Sequence, residues 1–89
     1  FMQELFSDSV QLLQQLIATP SFSHEEADTA MILADFFHQR NIPTFRKGNN
    51  IWVQNLHFDV NKPTLLLNSH HDTVKPVEGW KRHPFQAKI

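Results

Sequence analysis

Apolar positions recur with helical spacing at the start of the chain. Phe6, Val10, Leu13 and Ile17 mark one face, and Leu5, Leu12 and Leu16 widen it. This pattern predicts an amphipathic first helix whose apolar stripe packs on a core. Pro20 biases Thr19 away from helical geometry, so the helix stops there and Thr19-Pro20-Ser21-Phe22-Ser23 forms a loop. Ser23-His24-Glu25-Glu26 then reads as a capping box, in which Ser23 takes the third helical amide and Glu26 reaches back to the Ser23 amide. A second helix runs to about Gln39, with Ala27, Ala30, Met31, Ala34 and Phe37 as its buried face. The alanines predict close packing against a sheet. The helix ends near Asn41, and Pro43 bars its continuation.

The period then changes from helical to alternating. Thr44-Phe45-Arg46-Lys47 and Ile51-Trp52-Val53-Gln54-Asn55 predict a strand pair about Gly48-Asn49-Asn50, residue types that supply the positive φ angles of tight turns. Asp59 to Pro63 makes another turn. Thr64 to Ser69 follows as a strand apolar on both faces, which predicts a position inside a sheet covered on each side. Phe85 to Ile89 alternates apolar and polar as a half-buried strand does. That pattern continues to the last residue, which predicts that residues 1–89 are the N-terminal portion of a longer protein. The fold class expected is α/β, two helices followed by a mixed sheet, with no repeat, linker or low-complexity stretch.

Composition narrows the function. With 8 Lys and Arg against 9 Asp and Glu, the formal net charge is -1, which implies no polyanion partner. Lys75, Lys81 and Arg82 are too sparse for a nucleic-acid surface and read as a solvated loop. No apolar run approaches the roughly 20 residues that a membrane span needs. The N-terminal helix carries Glu4 and Asp8, unlike a signal peptide. Cysteine is absent, so disulfides and thiolate metal sites are excluded and any metal must use His, Asp or Glu. This usage fits a cytoplasmic protein.

The candidate chemistry lies where the predicted inner strand stops, at Leu65-Leu66-Leu67-Asn68-Ser69-His70-His71-Asp72-Thr73-Val74. In an extended backbone, residues two apart share a face, so His70 and Asp72 point together and His71 points away. The spacing admits two arrangements. Both side chains bind one metal ion, or His70 binds it while Asp72 accepts a hydrogen bond from the other ring nitrogen and fixes the tautomer. His71 reads as a packing or hydrogen-bonding residue. His24 and His38 read as helix-end residues, His57 as a loop residue, and His83 as a weaker metal candidate in an irregular segment. Trp80, His83, Pro84 and Phe85 follow Pro76 and Gly79. Such an aromatic loop either walls water from a neighbouring polar site or packs on the sheet.

The run Ser69-His70-His71-Asp72-Thr73-Val74-Lys75-Pro76, then Gly79-Trp80, then Pro84-Phe85, resembles the metal-site signature of the acetylornithine deacetylase, succinyl-diaminopimelate desuccinylase and aminoacylase family of zinc peptidases. The upstream Thr-Pro-Ser loop, the Ser-x-Glu-Glu helix start and the Gly-Asn-Asn-Ile strand entry are similar to that family's N-terminal region. The resemblance implies that residues 1–89 are the N-terminal, metal-binding portion of a zinc-exopeptidase-like catalytic domain, truncated before the rest of that domain and a smaller dimerisation domain. It implies that His70 is a metal ligand in a two-zinc site, with Co or Mn as substitutes, and that Asp72 is the catalytic carboxylate orienting the imidazole.

The activity implied is hydrolysis of the amide bond of an N-acylated amino acid such as N-acetylornithine, a step of arginine biosynthesis, by a homodimeric cytoplasmic enzyme. A dipeptidase, carboxypeptidase or desuccinylase of the same family is the alternative, and so is a non-enzymatic module that keeps the fold without metals. The family's bridging aspartate, catalytic glutamate and remaining ligands have no counterpart in this chain. Residues 1–89 alone are therefore expected to bind zinc weakly and to be inactive.

Overall fold

A computed structural model describes residues 2–87. The chain forms α1 (Met2–Ala18), α2 (Ala27–His38), β1 (Thr44–Lys47) and β2 (Asn50–Val53), in that order. Helix α1 closes where the Thr19 hydroxyl donates to the Gln15 carbonyl at 2.8 Å and Pro20 withholds the next amide donor. Helix α2 ends in a Schellman motif. The Asn41 amide donates to the His38 carbonyl, the Ile42 amide donates to the Phe37 carbonyl, both at 3.0 Å, and Asn41 takes a left-handed φ of 58°.

The hairpin is antiparallel in the register Thr44↔Val53, Phe45↔Trp52, Arg46↔Ile51 and Lys47↔Asn50. Its two-residue loop is Gly48-Asn49. Gly48, at φ 61°, takes the first central position, which is where a II′ turn places glycine. Phe45 and Trp52 stack across the strands with ring centroids 5.8 Å apart.

The helices lie against each other and α2 lies against the hairpin. Arg40, just past α2, ties the helices together. Its guanidinium reaches Asp8 on α1 at 2.9 Å, donates to the Phe36 carbonyl at 3.0 Å and sits 3.7 Å above the Phe36 ring. Both partners of the ion pair are partly solvated, so the pair contributes at most about 1 kcal/mol.

The fully buried centre is small. Among the described residues only Ala30 and Thr29, in the first turn of α2, and Ser21, in the loop before it, are buried. The accessible surface is 7936 Å², against roughly 5,400 Å² for a compact monomer of this mass. The radius of gyration is 15.3 Å, against about 12 Å for a compact domain of this length.

Several expectations change. In α1, Val10, Leu12, Leu16 and Ile17 are half-buried, whereas Phe6 and Leu13 face solvent. On α2, Ala30 is buried and Ala34 and Phe37 half-buried, but Ala27 and Met31 are exposed. The segment Thr64 to Ser69 is not a strand, and Leu65, Leu66 and Leu67 are more than four-fifths exposed. A strand needs a neighbour for its N–H and C=O groups, and among the described residues the sheet holds only β1 and β2, paired to each other. The sheet is accordingly antiparallel rather than mixed. Phe85 to Ala87 is irregular, and the rest of the predicted last strand, Lys88 and Ile89, lies outside the described residues.

Three consecutive exposed leucines with a free backbone form an edge that favours pairing with another chain. The 89-residue chain by itself should self-associate, giving concentration-dependent sedimentation coefficients. Leu66→Glu should shift the population toward monomer. A monodisperse monomer that unfolds cooperatively would contradict this.

Candidate functional site

The loop between α1 and α2 holds the segment that carries the candidate residues. The Thr73 amide donates to the Ser21 carbonyl at 2.7 Å, and the Ser21 hydroxyl donates to the His71 carbonyl at 2.8 Å. Phe22 and Thr73 form an isolated parallel bridge. Ser21 is 1% exposed, so its hydroxyl and the carbonyl it serves would both lose a partner if the bond were absent.

His71 turns inward. Its Nε2 lies 2.9 Å from the Asn49 carbonyl and its Nδ1 lies 2.7 Å from the Thr29 hydroxyl. A carbonyl only accepts, so Nε2 carries the proton. In the neutral ring Nδ1 is left as an acceptor for the Thr29 hydroxyl, whose single proton also faces the Glu26 carbonyl at 3.1 Å. His71 thus joins the start of α2 to the hairpin turn, the hydrogen-bonding role expected of it. Asn49 adds a second tie, donating from Nδ2 to Glu26 Oε2 at 3.2 Å.

His70 and Asp72 meet on the other side. His70 Nδ1 lies 2.9 Å from Asp72 Oδ1 and 3.0 Å from the Asp72 carbonyl. Two acceptors at one nitrogen fix the proton on Nδ1. The neutral imidazole then presents its lone pair at Nε2, which makes no hydrogen bond among the described residues, on a side chain 82% exposed. Asp72 Oδ2 accepts from the Ser23 hydroxyl at 2.6 Å. The Ser23 bond, then the His70 imidazole, hold the Asp72 carboxyl below the ordinary aspartate value, with desolvation acting in the opposite direction.

The capping box is not formed. Ser23 serves Asp72, α2 begins at Ala27, and Glu26 at its N-cap makes no side-chain cap bond. Glu26 Oε1 instead accepts from the His24 amide at 3.0 Å, beside the left-handed His24 at φ 71°. That amide does most to hold the Glu26 carboxyl below its ordinary value, and Asn49 adds to it. An absent N-cap bond costs about 1 kcal/mol. A carboxylate is a stronger acceptor than a backbone amide is a donor, which redirects the serine.

Among the described residues no other histidine side chain bonds to His70 or Asp72. The His83 Nδ1 accepts from the Phe85 amide at 3.1 Å. Val74, Pro76, Trp80, Pro84 and Phe85 line an apolar groove of about 180 Å³ against Leu16 and Ile17 at the end of α1. The aromatic loop therefore packs on a helix rather than on the sheet, and Trp80 stays 59% exposed. No group of three His, Cys, Asp or Glu side chains converges on a metal position among the described residues. An exposed imidazole with its tautomer fixed by a carboxylate has the chemistry of a single metal ligand.

Sequence reasoning found His70, Asp72 and their common face. It missed Thr29 and Asn49 as partners of His71, and it assigned Ser23 to the helix cap. No local signal links Thr29 to a histidine 42 positions away.

No family model matches the chain. It is 32% identical over 92 aligned positions to succinyl-diaminopimelate desuccinylase of Blochmanniella floridana, a match covering 96% of this chain and 24% of that protein. It is 29% identical over 89 positions to succinyl-diaminopimelate desuccinylase of Delftia acidovorans (strain DSM 14801 / SPH-1), covering 89% of this chain and 23% of that protein. The chain thus spans about a quarter of the length of the curated relatives it matches. No helix among the described residues is long and apolar enough to cross a membrane.

Two measurements check this network. Thr29→Val keeps the volume but removes the bond to His71, and should cost roughly 1–3 kcal/mol in urea unfolding. Asp72 has a lowered folded-state pKa, so its contribution is present above the unfolded aspartate value and is lost as pH falls through the folded value. Asp72→Asn should therefore flatten the acid limb of the stability curve and leave the region above neutral pH unchanged in slope.

Proposed function

We propose that this chain is the N-terminal part of the catalytic domain of a zinc-dependent amidohydrolase that removes the acyl group from an N-acylated amino acid such as N-acetylornithine. The observation that carries the reading is the His70 Nδ1 to Asp72 Oδ1 contact of 2.9 Å, with Nε2 left facing solvent. Of the two arrangements the spacing admits, this geometry favours His70 as the ligand and Asp72 as the group that orients it. Both Asp72 oxygens are engaged, one by His70 and one by Ser23.

His70 would hold the metal through Nε2, and Asp72 would keep the ring in the required tautomer. Zinc, when bound, supplies the Lewis acidity that activates water and polarises a carbonyl. The site is read as a two-zinc site that also accepts Co or Mn. Its remaining ligands and general base, the rest of the catalytic domain and a dimerisation domain are assigned to segments beyond residues 1–89, in a homodimeric cytoplasmic enzyme. A second reading, removal of a succinyl group from diaminopimelate, is favoured by the names of both relatives.

In the intact protein, His70→Ala should lower bound zinc and bring turnover below detection. Asp72→Asn should retain much of the zinc and lose roughly 10–100-fold in activity. Full activity in either variant would overturn the assignment. Rates on N-acetylornithine, N-succinyl-diaminopimelate and a panel of dipeptides separate the two readings from a peptidase. Residues 1–89 alone should bind zinc weakly and show no turnover, and sub-micromolar affinity by titration would contradict that.

A further inference from the structure

Ser23 stands at the spacing of a capping residue and does not cap. Its hydroxyl lies 2.6 Å from Asp72 Oδ2, across 49 positions of sequence. The opposite oxygen of the same carboxylate, Oδ1, lies 2.9 Å from His70 Nδ1. The order is therefore Ser23 hydroxyl, Asp72 carboxylate, His70 imidazole, exposed Nε2. A carboxylate on a side chain about one-third exposed rotates unless both ends are held. Here one end is held by a hydroxyl on the α1–α2 loop. That loop is itself anchored next door by the bonds between Ser21 and the His71 and Thr73 backbone.

We propose that Ser23 is a positioning residue that acts on His70 through Asp72, fixing the carboxylate so that the imidazole keeps its proton on Nδ1 and its lone pair on Nε2. The inference rests on the reading of His70 as a metal ligand for its functional meaning, but the Ser23–Asp72–His70 chain is testable without metal. The clasp that attaches this segment to the loop does not require Ser23, because Ser21 and the Phe22–Thr73 bridge supply it. Removing the Ser23 hydroxyl should therefore loosen the carboxylate, leave the Asp72 carbonyl at 3.0 Å as the one fixed acceptor at Nδ1, and disturb the His70 tautomer while the fold persists.

The test compares Ser23→Ala, Ser23→Val and Ser23→Thr in the intact protein. Valine and threonine occupy nearly the same space and differ in the hydroxyl. Long-range nitrogen–proton NMR correlations on metal-free protein report which nitrogen of His70 carries the proton. Zinc titration reports affinity. The expected result is a mixed tautomer population and roughly tenfold weaker zinc binding in the Ala and Val variants, with threonine restoring both.

A His70 tautomer ratio unchanged in Ser23→Val would overturn the inference. Unfolding of both hydroxyl-free variants while threonine folds would assign Ser23 to the fold alone and overturn it as well. If His70→Ala leaves zinc affinity intact, the ligand reading fails, whereas a tautomer change in Ser23→Val still establishes the positioning role.

Discussion

The candidate site depends on one short clasp between distant parts of the chain. Residues 63 to 72 lie in no helix or strand, and the three leucines among them stand in solvent. What fixes the end of this segment is Ser21-Phe22-Ser23 against His71-Asp72-Thr73. The contacts are two backbone acceptors engaged by Ser21 and Thr73, one parallel bridge, and one hydroxyl on a carboxylate. Each backbone bond is worth only about 1 kcal/mol net. Together the contacts turn an irregular segment into a defined constellation. His71 drives a second pin into the same place, between Thr29 at the head of α2 and the Asn49 carbonyl in the hairpin turn.

The clasp divides the labour between adjacent side chains. Neighbouring histidines point to opposite sides, so one is spent on structure and the other remains available. His71 is half-buried with both nitrogens engaged, whereas His70 is solvated with one nitrogen bound to Asp72. The same economy appears at Ser23. The serine leaves the helix N-terminus without its cap bond and satisfies a carboxylate instead, since a charged acceptor outweighs a backbone amide at this site.

The rest of the molecule is under-buried for its mass, and that shapes how the site relates to function. In the proposed zinc site one histidine and one orienting carboxylate would not suffice, since a catalytic zinc takes three protein ligands. The chain aligns with about a quarter of each curated desuccinylase it resembles. The exposed leucines sit directly before His70, so whatever covers them would also bring new side chains close to the imidazole.

Much of the local structure was legible in the residues. Pro20, Asn41 with Pro43, and Gly48-Asn49 set the element boundaries through backbone chemistry that acts over a few positions. The His70–Asp72 common face followed from two-residue alternation alone. What local pattern misassigned depended on distant partners. The capping box gave way because Asp72, 49 positions on, offered Ser23 a stronger acceptor. The leucine strand did not form because its hydrogen-bond groups found no neighbour among the described residues. The sequence by itself determined the helices, the hairpin and the pairing of His70 with Asp72. Only the tertiary structure decided which groups hold His71 and how the Asp72 carboxylate is shared, because those contacts come from Thr29, Asn49 and Ser23, which no local periodicity encodes.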